Sequence, residues 1–380
     1  MKGRGMNMGK MGMRDCIESA PKVIRAQLER GEELVRPLST SFEDAHPRRL
    51  VLVASGSSYT AAWMARPYLA RVLGMSVEVT FPYTFAEYEV ANLGDDAYAL
   101  VISQSGASVN CLDALCAAKE AGIAARLLTS DPRADCARVA DEVFDWGCGE
   151  ESVGYVTFGP MSLVAYLMLF AARVCSMRGD VSCEDECRAQ IAAAMEAHAE
   201  ICVRADGFVK SNYPYLMQMD RVYVLGCGGN YGTALEGALK IGETVKVLAV
   251  GYEQDEFQHG PALQLDPTYT TFVLDGGDAT SNHASLVHCG LTLVAPNSYL
   301  IKPESLMTDE ERSDRRVLGL PLGCPEPFSC FYLLPVLQIV AATLSRDLDS
   351  RRSHPLYYRM TDVLDFRTKA YREDHPADED

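Results

Sequence analysis

The stretch LGCGGNYGTALEGALKIGETVKVLAVGYEQDEFQHGP, residues 225–261, decides the fold of this chain. Residues 222–225 are apolar and predict a buried strand, and the glycines that follow leave the strand end open to a ligand. Asn230 is placed to cap the helix that comes next. A buried strand, a glycine turn and a helix in this order are typical of an open parallel sheet, in which ligands bind at the carboxyl ends of the strands.

Three charged side chains lie on one face of that predicted helix. Glu236, Lys240 and Glu243 stand at positions i, i+4 and i+7. His259 follows 16 positions after Glu243, in front of a Gly-Pro turn that would hold an imidazole at a surface edge. A Glu-Lys pair on an arbitrary helix is usually a solvated ion pair. Its position after a glycine turn favours a catalytic site here.

Two serine-rich turns stand in the first half of the chain. Residues 49–54 form an apolar run that leads into Ser55-Gly56-Ser57-Ser58, and residues 99–103 lead into Gln104-Ser105-Gly106-Ala107-Ser108. One such turn is as often a helix cap as a binding site. Two of them on successive halves of one α/β domain favour a phosphate site, because the amides at a helix N-terminus point outward there.

These motifs resemble those of the sugar isomerase (SIS) domain family. ALEGALKxxE followed by HGP is similar to the second SIS domain of glucosamine-6-phosphate synthases and fructosamine-6-phosphate deglycases, and VASGSS and SQSGAS stand at the sugar and phosphate loops of the first. The resemblance implies that Glu243 shuttles a proton between sugar carbons 1 and 2, that Lys240 supports it, and that His259 of a neighbouring subunit helps to open the sugar ring. It also implies these substrate contacts: phosphate to Ser103, Gln104, Ser105 and Ser108, sugar to Ser57 and Ser58, and further contacts from Glu236 and Arg359.

The order of elements predicts an α/β chain with two doubly wound SIS domains, each a mostly parallel sheet flanked by helices. We expect a disordered tail at 1–12, a phosphate-binding domain at 13–200, a catalytic domain at 201–362 and a C-terminal tail at 363–380. In the second domain the further strands are predicted at 245–250, 270–274 and 291–295. The segment 297–326 is charged and irregular, and its pattern predicts no element.

The composition and net charge exclude some classes of binding partner. The 380 residues are 48% apolar, enough for two cores, and 52 acidic against 35 basic residues give a net charge of −17, which repels nucleic acid and anionic membranes. The longest apolar run, 163–172, is too short to span a bilayer. The 13 cysteines have no zinc-like spacing and predict reduced thiols in a cytoplasmic protein without metal or other cofactor. Because the chain as a whole is negatively charged, an anionic substrate needs hydrogen-bond donors or cations placed at its own binding site.

Three departures from the family pattern bear on the reaction. Phe158 stands near a lysine of the synthases, Val250 stands at a glutamate, and Arg359 stands where a tail lysine forms an imine with the ketose. A guanidinium does not form imines in an enzyme site. The resemblance therefore favours a homodimeric deglycase that cleaves a 6-phosphorylated fructosamine or glucosamine-type amino acid adduct into hexose 6-phosphate and free amine.

Two other functions remain open. One is an amino-sugar phosphate isomerase that works with free ammonia, since the chain has no room for a glutaminase domain. The other is a sugar-phosphate-binding regulator without catalysis. An intact Glu243, Lys240 and His259 argues against the regulator.

Overall fold

A computed structural model of the protein describes residues 12–149, 151, 155–323, 326–350 and 354–374. This part of the chain contains two five-stranded sheets whose neighbouring strands all run parallel. The predicted fold of two doubly wound α/β domains is therefore confirmed. The tail predicted at 1–12 lies outside the described residues, except for Gly12.

The first sheet has the strand order β2-β1-β3-β4-β5. Its central strands are almost completely buried, because helices cover both faces of the sheet. The strands are β1 (Arg49–Ala54), β2 (Ser76–Thr80), β3 (Ala97–Ser103), β4 (Arg126–Thr129) and β5 (Glu142–Asp145). The helices of this half are α1 (Met13–Arg30), α2 (Glu32–Asp44), α3 (Gly56–Leu73), α4 (Pro82–Thr84), α5 (Val109–Glu120), α6 (Asp135–Val139), α7 (Gly159–Met177) and α8 (Ser182–Leu216).

The second sheet has the order β10-β9-β8-β6-β7. Its strands are β6 (Arg221–Gly226), β7 (Leu248–Glu253), β8 (Tyr269–Leu274), β9 (Asn297–Pro303) and β10 (Val317–Leu320). The helices are α9 (Gly229–Val245), α10 (Ser281–Thr292), α11 (Asp309–Ser313), α12 (Cys330–Asp347), α13 (Tyr357–Leu364) and α14 (Lys369–Asp374).

The strand predicted at 291–295 is wrong. These residues end α10 and form the turn after it, where Leu293 is 84% exposed and Val294 is 46% exposed. Two adjacent exposed apolar residues at a helix end do not fit a central strand, which is buried on both faces. The strand is β9 instead, within the segment 297–326 that the sequence left unassigned, and Leu300 and Ile301 are fully buried in it.

Two helices, α7 and α8, connect the first sheet to the second along the chain. By length and composition α7 could cross a membrane, but 78% of it is buried inside the protein, where it packs against α3, α8 and α2. It is therefore a core helix in this fold. Helix α8 runs for 35 residues and passes through the boundary predicted at 200–201.

One pair of cysteines lies close together. The short turn between α7 and α8 brings Cys175 and Cys183 to a Cα–Cα distance of 6.3 Å, and reduced thiols stay a prediction for this pair. The other cysteines in the described ranges are free, and most of them are buried.

Candidate active site

The helix that carries the charged face, α9, packs directly against α3 of the first domain. A side-chain carbon on Gly232 would lie 2.4 Å from the amide nitrogen of Met64 and 2.7 Å from the carbonyl oxygen of Thr60, so only glycine fits there. Because α3 begins at the first serine turn, this close approach brings that turn against the middle of α9.

Glu236 joins the two helices. The Ser57 hydroxyl donates to Oε1 of Glu236 at 3.0 Å, and the Thr60 hydroxyl donates to Oε2 at 2.6 Å. Burial raises the pKa of the Glu236 carboxyl, against the opposing effects of Lys240 and the two hydroxyls. Both oxygens of this fully buried carboxylate thus accept hydrogen bonds from side chains of α3. These hydrogen bonds hold Glu236 in a fixed position.

Lys240 lies between the two carboxylates of the same helix face. Its Nζ is 3.4 Å from Oε1 of Glu236 and donates to Oε1 of Glu243. Burial alone would lower the pKa of Lys240, but the two carboxylates outweigh it and the pKa is raised. The Glu243 side chain is 29% exposed, so a ligand can reach it, unlike the other two. A reachable carboxylate held by a buried ammonium is suited to general acid-base work.

The second serine turn lies beside the first. Strands β1 and β3 are parallel neighbours, so the turns after them meet at one edge of the sheet, where Nδ2 of Asn110 donates to Oγ of Ser55 at 2.9 Å. Gly106 has a φ of 59°, and a side-chain carbon there would lie 2.6 Å from Cβ of Ala134. The turn therefore requires glycine at this position.

Neither serine turn caps its helix through a hydroxyl. Ser55 and Ser108 are the N-cap residues of α3 and α5, yet neither side chain makes a capping hydrogen bond. The hydroxyls of Ser105 and Ser108 instead accept hydrogen bonds from Arg367, at 2.8 Å and 3.2 Å. The hydroxyls of Ser105 and Ser108 therefore bond to the C-terminal segment and do not cap the helix.

Two further residues of this turn face the protein interior. Ser103 is buried at the end of β3, and Nε2 of Gln104 donates to Oε2 of Glu151 at 3.4 Å. Glu151 also accepts hydrogen bonds from the amides at the start of α7. Phe158, which replaces the lysine of the synthases, is buried in the core. Residues 150 and 152–154 of this loop lie outside the described ranges.

The glycine turn before α9 is closed by the chain itself. Asn230 does not cap the helix as predicted, because Gly228 takes the cap position and Nδ2 of Asn230 donates to Ser329 at 2.9 Å. The amide of Gly229 donates to Oε1 of Glu326 at 2.7 Å, and burial raises the pKa of this carboxyl. A carboxylate of the chain therefore already accepts a hydrogen bond from the amide at this turn.

His259 and Arg359 are not joined to this cluster within one chain. His259 is exposed in the turn after a short 3-10 helix, and Arg359 is exposed on α13. Among the described residues, neither side chain has a hydrogen bond or an ion pair. Their predicted roles therefore remain predictions.

Sequence reasoning missed two residues of the site. Thr60 stands three positions after Ser57, so helical spacing could have identified it as a second donor on the same face. Arg367 carries no such signal, because its contacts with the serine turn join positions 262 and 259 residues apart.

Comparison with protein families supports the resemblance. The profile of the SIS domain matches residues 44–172 and 215–289, more than half of the chain. The glutamine–fructose-6-phosphate aminotransferase [isomerizing] of Shouchella clausii (strain KSM-K16) is 26% identical over 276 residues, which cover 71% of this chain and 45% of that protein. The enzyme of the same name from Bacillus licheniformis is 27% identical over 336 residues, with coverages of 86% and 54%. The chain thus spans about half the length of these curated relatives.

Solved structures share the fold along most of the chain. A Clostridium difficile 630 protein with the provisional description of phosphosugar isomerase has a TM-score of 0.81 at 20% identity, with 92% of this chain and 98% of that chain covered. The C-terminal domain of the Francisella tularensis glucosamine-fructose-6-phosphate aminotransferase has a TM-score of 0.73 at 19% identity, with coverages of 90% and 98%.

Proposed function

The chain belongs to the SIS domain family, and on that premise we propose that it is a phosphosugar deglycase. Its substrate is a 6-phosphorylated fructosamine or glucosamine-type amino acid adduct, and its products are a hexose 6-phosphate and a free amine. The proposal is carried by one arrangement, in which the reachable Glu243 is paired with the buried Lys240 and linked through Glu236 to the first serine turn.

Cleavage needs one proton to move between two sugar carbons and another to move from the nitrogen to the oxygen on C2. Glu243 takes a proton from C1 of the open-chain fructosamine and returns a proton to C2, while the carbonyl oxygen on C2 gains a proton and the nitrogen loses one, which converts the ketoamine into an imine at C1. Water then adds to the imine carbon and the amine leaves, so that C1 becomes the aldehyde of the hexose phosphate. These steps consume one water molecule and need no oxidant or reductant.

The residue at the imine position supports a deglycase over an enzyme that forms a lysine imine. Arg359 stands where the resemblance places the imine-forming lysine, and a guanidinium does not form imines in an enzyme site. A fructosamine already carries nitrogen on C1, so its cleavage does not require an enzyme amine.

We assign ring opening to His259 of a second copy of the chain. Within one chain the imidazole is exposed and has no partner among the described residues, so it is free to reach a neighbouring site. The proposal therefore includes a homodimer, which we expect in the cytoplasm.

The second candidate is an amino-sugar phosphate isomerase. It is favoured by the names of the curated relatives, which are isomerizing aminotransferases of fructose 6-phosphate. The third candidate is a regulator without catalysis. It does not explain why a reachable Glu243 is paired with a buried Lys240, since sugar binding alone needs no proton-transfer group.

A substrate panel separates the three candidates. The purified protein is incubated with 6-phosphorylated fructosamines of several amino acids, and with fructose 6-phosphate plus ammonia. Release of amino acid together with hexose 6-phosphate is expected from at least one adduct. Glucosamine 6-phosphate formed from ammonia would favour the isomerase, and a covalent adduct on Lys240 or Lys369 after borohydride treatment with fructose 6-phosphate would do the same. Binding without turnover of any compound would favour the regulator.

A further inference from the structure

The C-terminal segment 365–374 returns to the first domain and joins the second serine turn. The amide of Thr368 donates to the carbonyl of Ala107 at 3.0 Å, and the amide of Val109 donates to the carbonyl of Phe366 at 3.1 Å. These two hydrogen bonds flank an antiparallel bridge between Ser108 and Arg367. The sequence predicted only a tail here, yet this segment holds a defined position on the turn.

The segment places one cation on the two hydroxyls of that turn. Nη1 of Arg367 donates to Oγ of Ser105 at 2.8 Å and to Oγ of Ser108 at 3.2 Å. The guanidinium also lies 5.4 Å and 5.2 Å from the ring centres of Phe366 and Tyr371, which hold it from the side.

The described part of the chain provides no carboxylate partner for Arg367. No carboxylate in these ranges lies within ion-pair distance of this guanidinium, although the chain as a whole carries a net charge of −17. The turn 103–108 contains no basic residue of its own. In the same segment the Thr368 hydroxyl is buried and has no partner among the described residues. A positive charge thus lies at the serine turn.

We propose that Arg367 is a phosphate-binding residue, which supplies the cation that the serine turn lacks. This inference rests on the proposed function, since it takes the turn at 103–108 as the site of the sugar phosphate. The phosphate accepts hydrogen bonds from Ser105 and Ser108 on one side and from the guanidinium on the other, and it replaces the hydrogen bonds that now join them. A planar guanidinium suits this role because it binds two phosphate oxygens at once.

A purely structural role for Arg367 makes a different prediction. If the side chain only holds the segment in place, its loss lowers thermal stability and weakens every ligand to the same degree. If it binds phosphate, its loss acts on phosphorylated ligands and spares thermal stability, because the two backbone hydrogen bonds of the segment remain.

The test is calorimetric titration of the full chain with fructose 6-phosphate and with inorganic phosphate. Arg367→Gln should weaken both by about tenfold to a hundredfold, the loss of a charge-assisted hydrogen bond to an anion. Arg367→Lys should restore part of that loss. The matched control is Lys369→Gln, which removes the same charge two residues away from an exposed side chain and should leave both affinities unchanged.

The double variant Ser105→Ala with Ser108→Ala separates this inference from the proposed function. Weaker binding in the serine variant with unchanged or tighter binding in Arg367→Gln would overturn the role of Arg367 and leave the phosphate site standing. Equal losses in Arg367→Gln and Lys369→Gln would reduce Arg367 to a general charge effect and also overturn it. If the unaltered chain binds neither probe, the phosphate site itself is wrong and both proposals fall.

Discussion

At the scale of single residues, exposure assigns different tasks to two glutamates on one helix face. Glu236 is fully buried and accepts hydrogen bonds from Ser57 and Thr60. Glu243 is reachable from solvent, and both glutamates form an ion pair with Lys240. A proton shuttle must touch the substrate, so Glu243 is the candidate for that role and Glu236 is the residue that positions Lys240.

The hydroxyls of the serine turn should act on the phosphate alone. Changing both Ser105 and Ser108 to alanine removes two hydrogen bonds to an anion, each worth about 1.5 to 3 kcal/mol, or roughly tenfold or more in affinity. The Michaelis constant for a 6-phosphorylated fructosamine should therefore rise by at least about a hundredfold. The same constant for the dephosphorylated compound should not change. Equal effects on the two compounds would mean that these serines serve the shape of the turn.

At the scale of elements, the site depends on how closely α3 and α9 approach each other. Gly232 allows this approach, because a side chain there would meet the backbone of Met64 and Thr60. The contact holds the first serine turn against Glu236, so a wider separation of the helices should disconnect the two halves of the site.

The variant Gly232→Ala tests this contact. Overpacking against backbone atoms should cost about 1 to 3 kcal/mol in the free energy of unfolding and should lower activity as well. The matched control is Gly207→Ala in α8, where a side-chain carbon meets nothing within 4 Å and alanine should be neutral or slightly stabilising. Urea unfolding of both variants measures the difference. Equal stabilities would show that the helices can separate at no cost.

Periodicity predicted the elements of the site better than their contacts. The face of Glu236, Lys240 and Glu243 follows from helical spacing alone, because residues three and four apart are neighbours on any helix. The strand at 291–295 was mispredicted because a short apolar run cannot separate a helix end from a strand. The contact of Arg367 with Ser105 could not be predicted, because no local sequence pattern indicates a contact between residues 262 positions apart.

At the scale of the whole molecule, the two sheets contribute different parts of one site. The serine turns of the first sheet offer hydroxyls, whereas the glycine turn of the second is closed by Glu326 and its helix carries Glu243 and Lys240. Because neither half has both a phosphate site and a proton shuttle, we expect the halves to work only together. His259 is the one predicted catalytic group that a single chain leaves outside this arrangement.

Mixing two inactive variants tests the role of His259 across subunits. Glu243→Gln and His259→Ala proteins should each be inactive as purified. After subunit exchange, a mixed dimer carries one site with both residues intact, so part of the activity should return. Exchange is verified with two affinity tags. A mixture that exchanges and stays inactive would place both residues in the site of the same subunit, or would remove His259 from catalysis.

The central claim is that Glu243 moves a proton between C1 and C2 of a phosphorylated amino sugar. The most direct measurement follows the hexose 6-phosphate released in D2O by NMR, for the unaltered chain, for Glu243→Gln and for the exposed control Glu310→Gln. We expect deuterium at C2 of the product, a fall in the rate of release of about 10² to 10⁴ in Glu243→Gln and an unchanged rate in the control. Release by Glu243→Gln at the rate of the unaltered chain would contradict the claim.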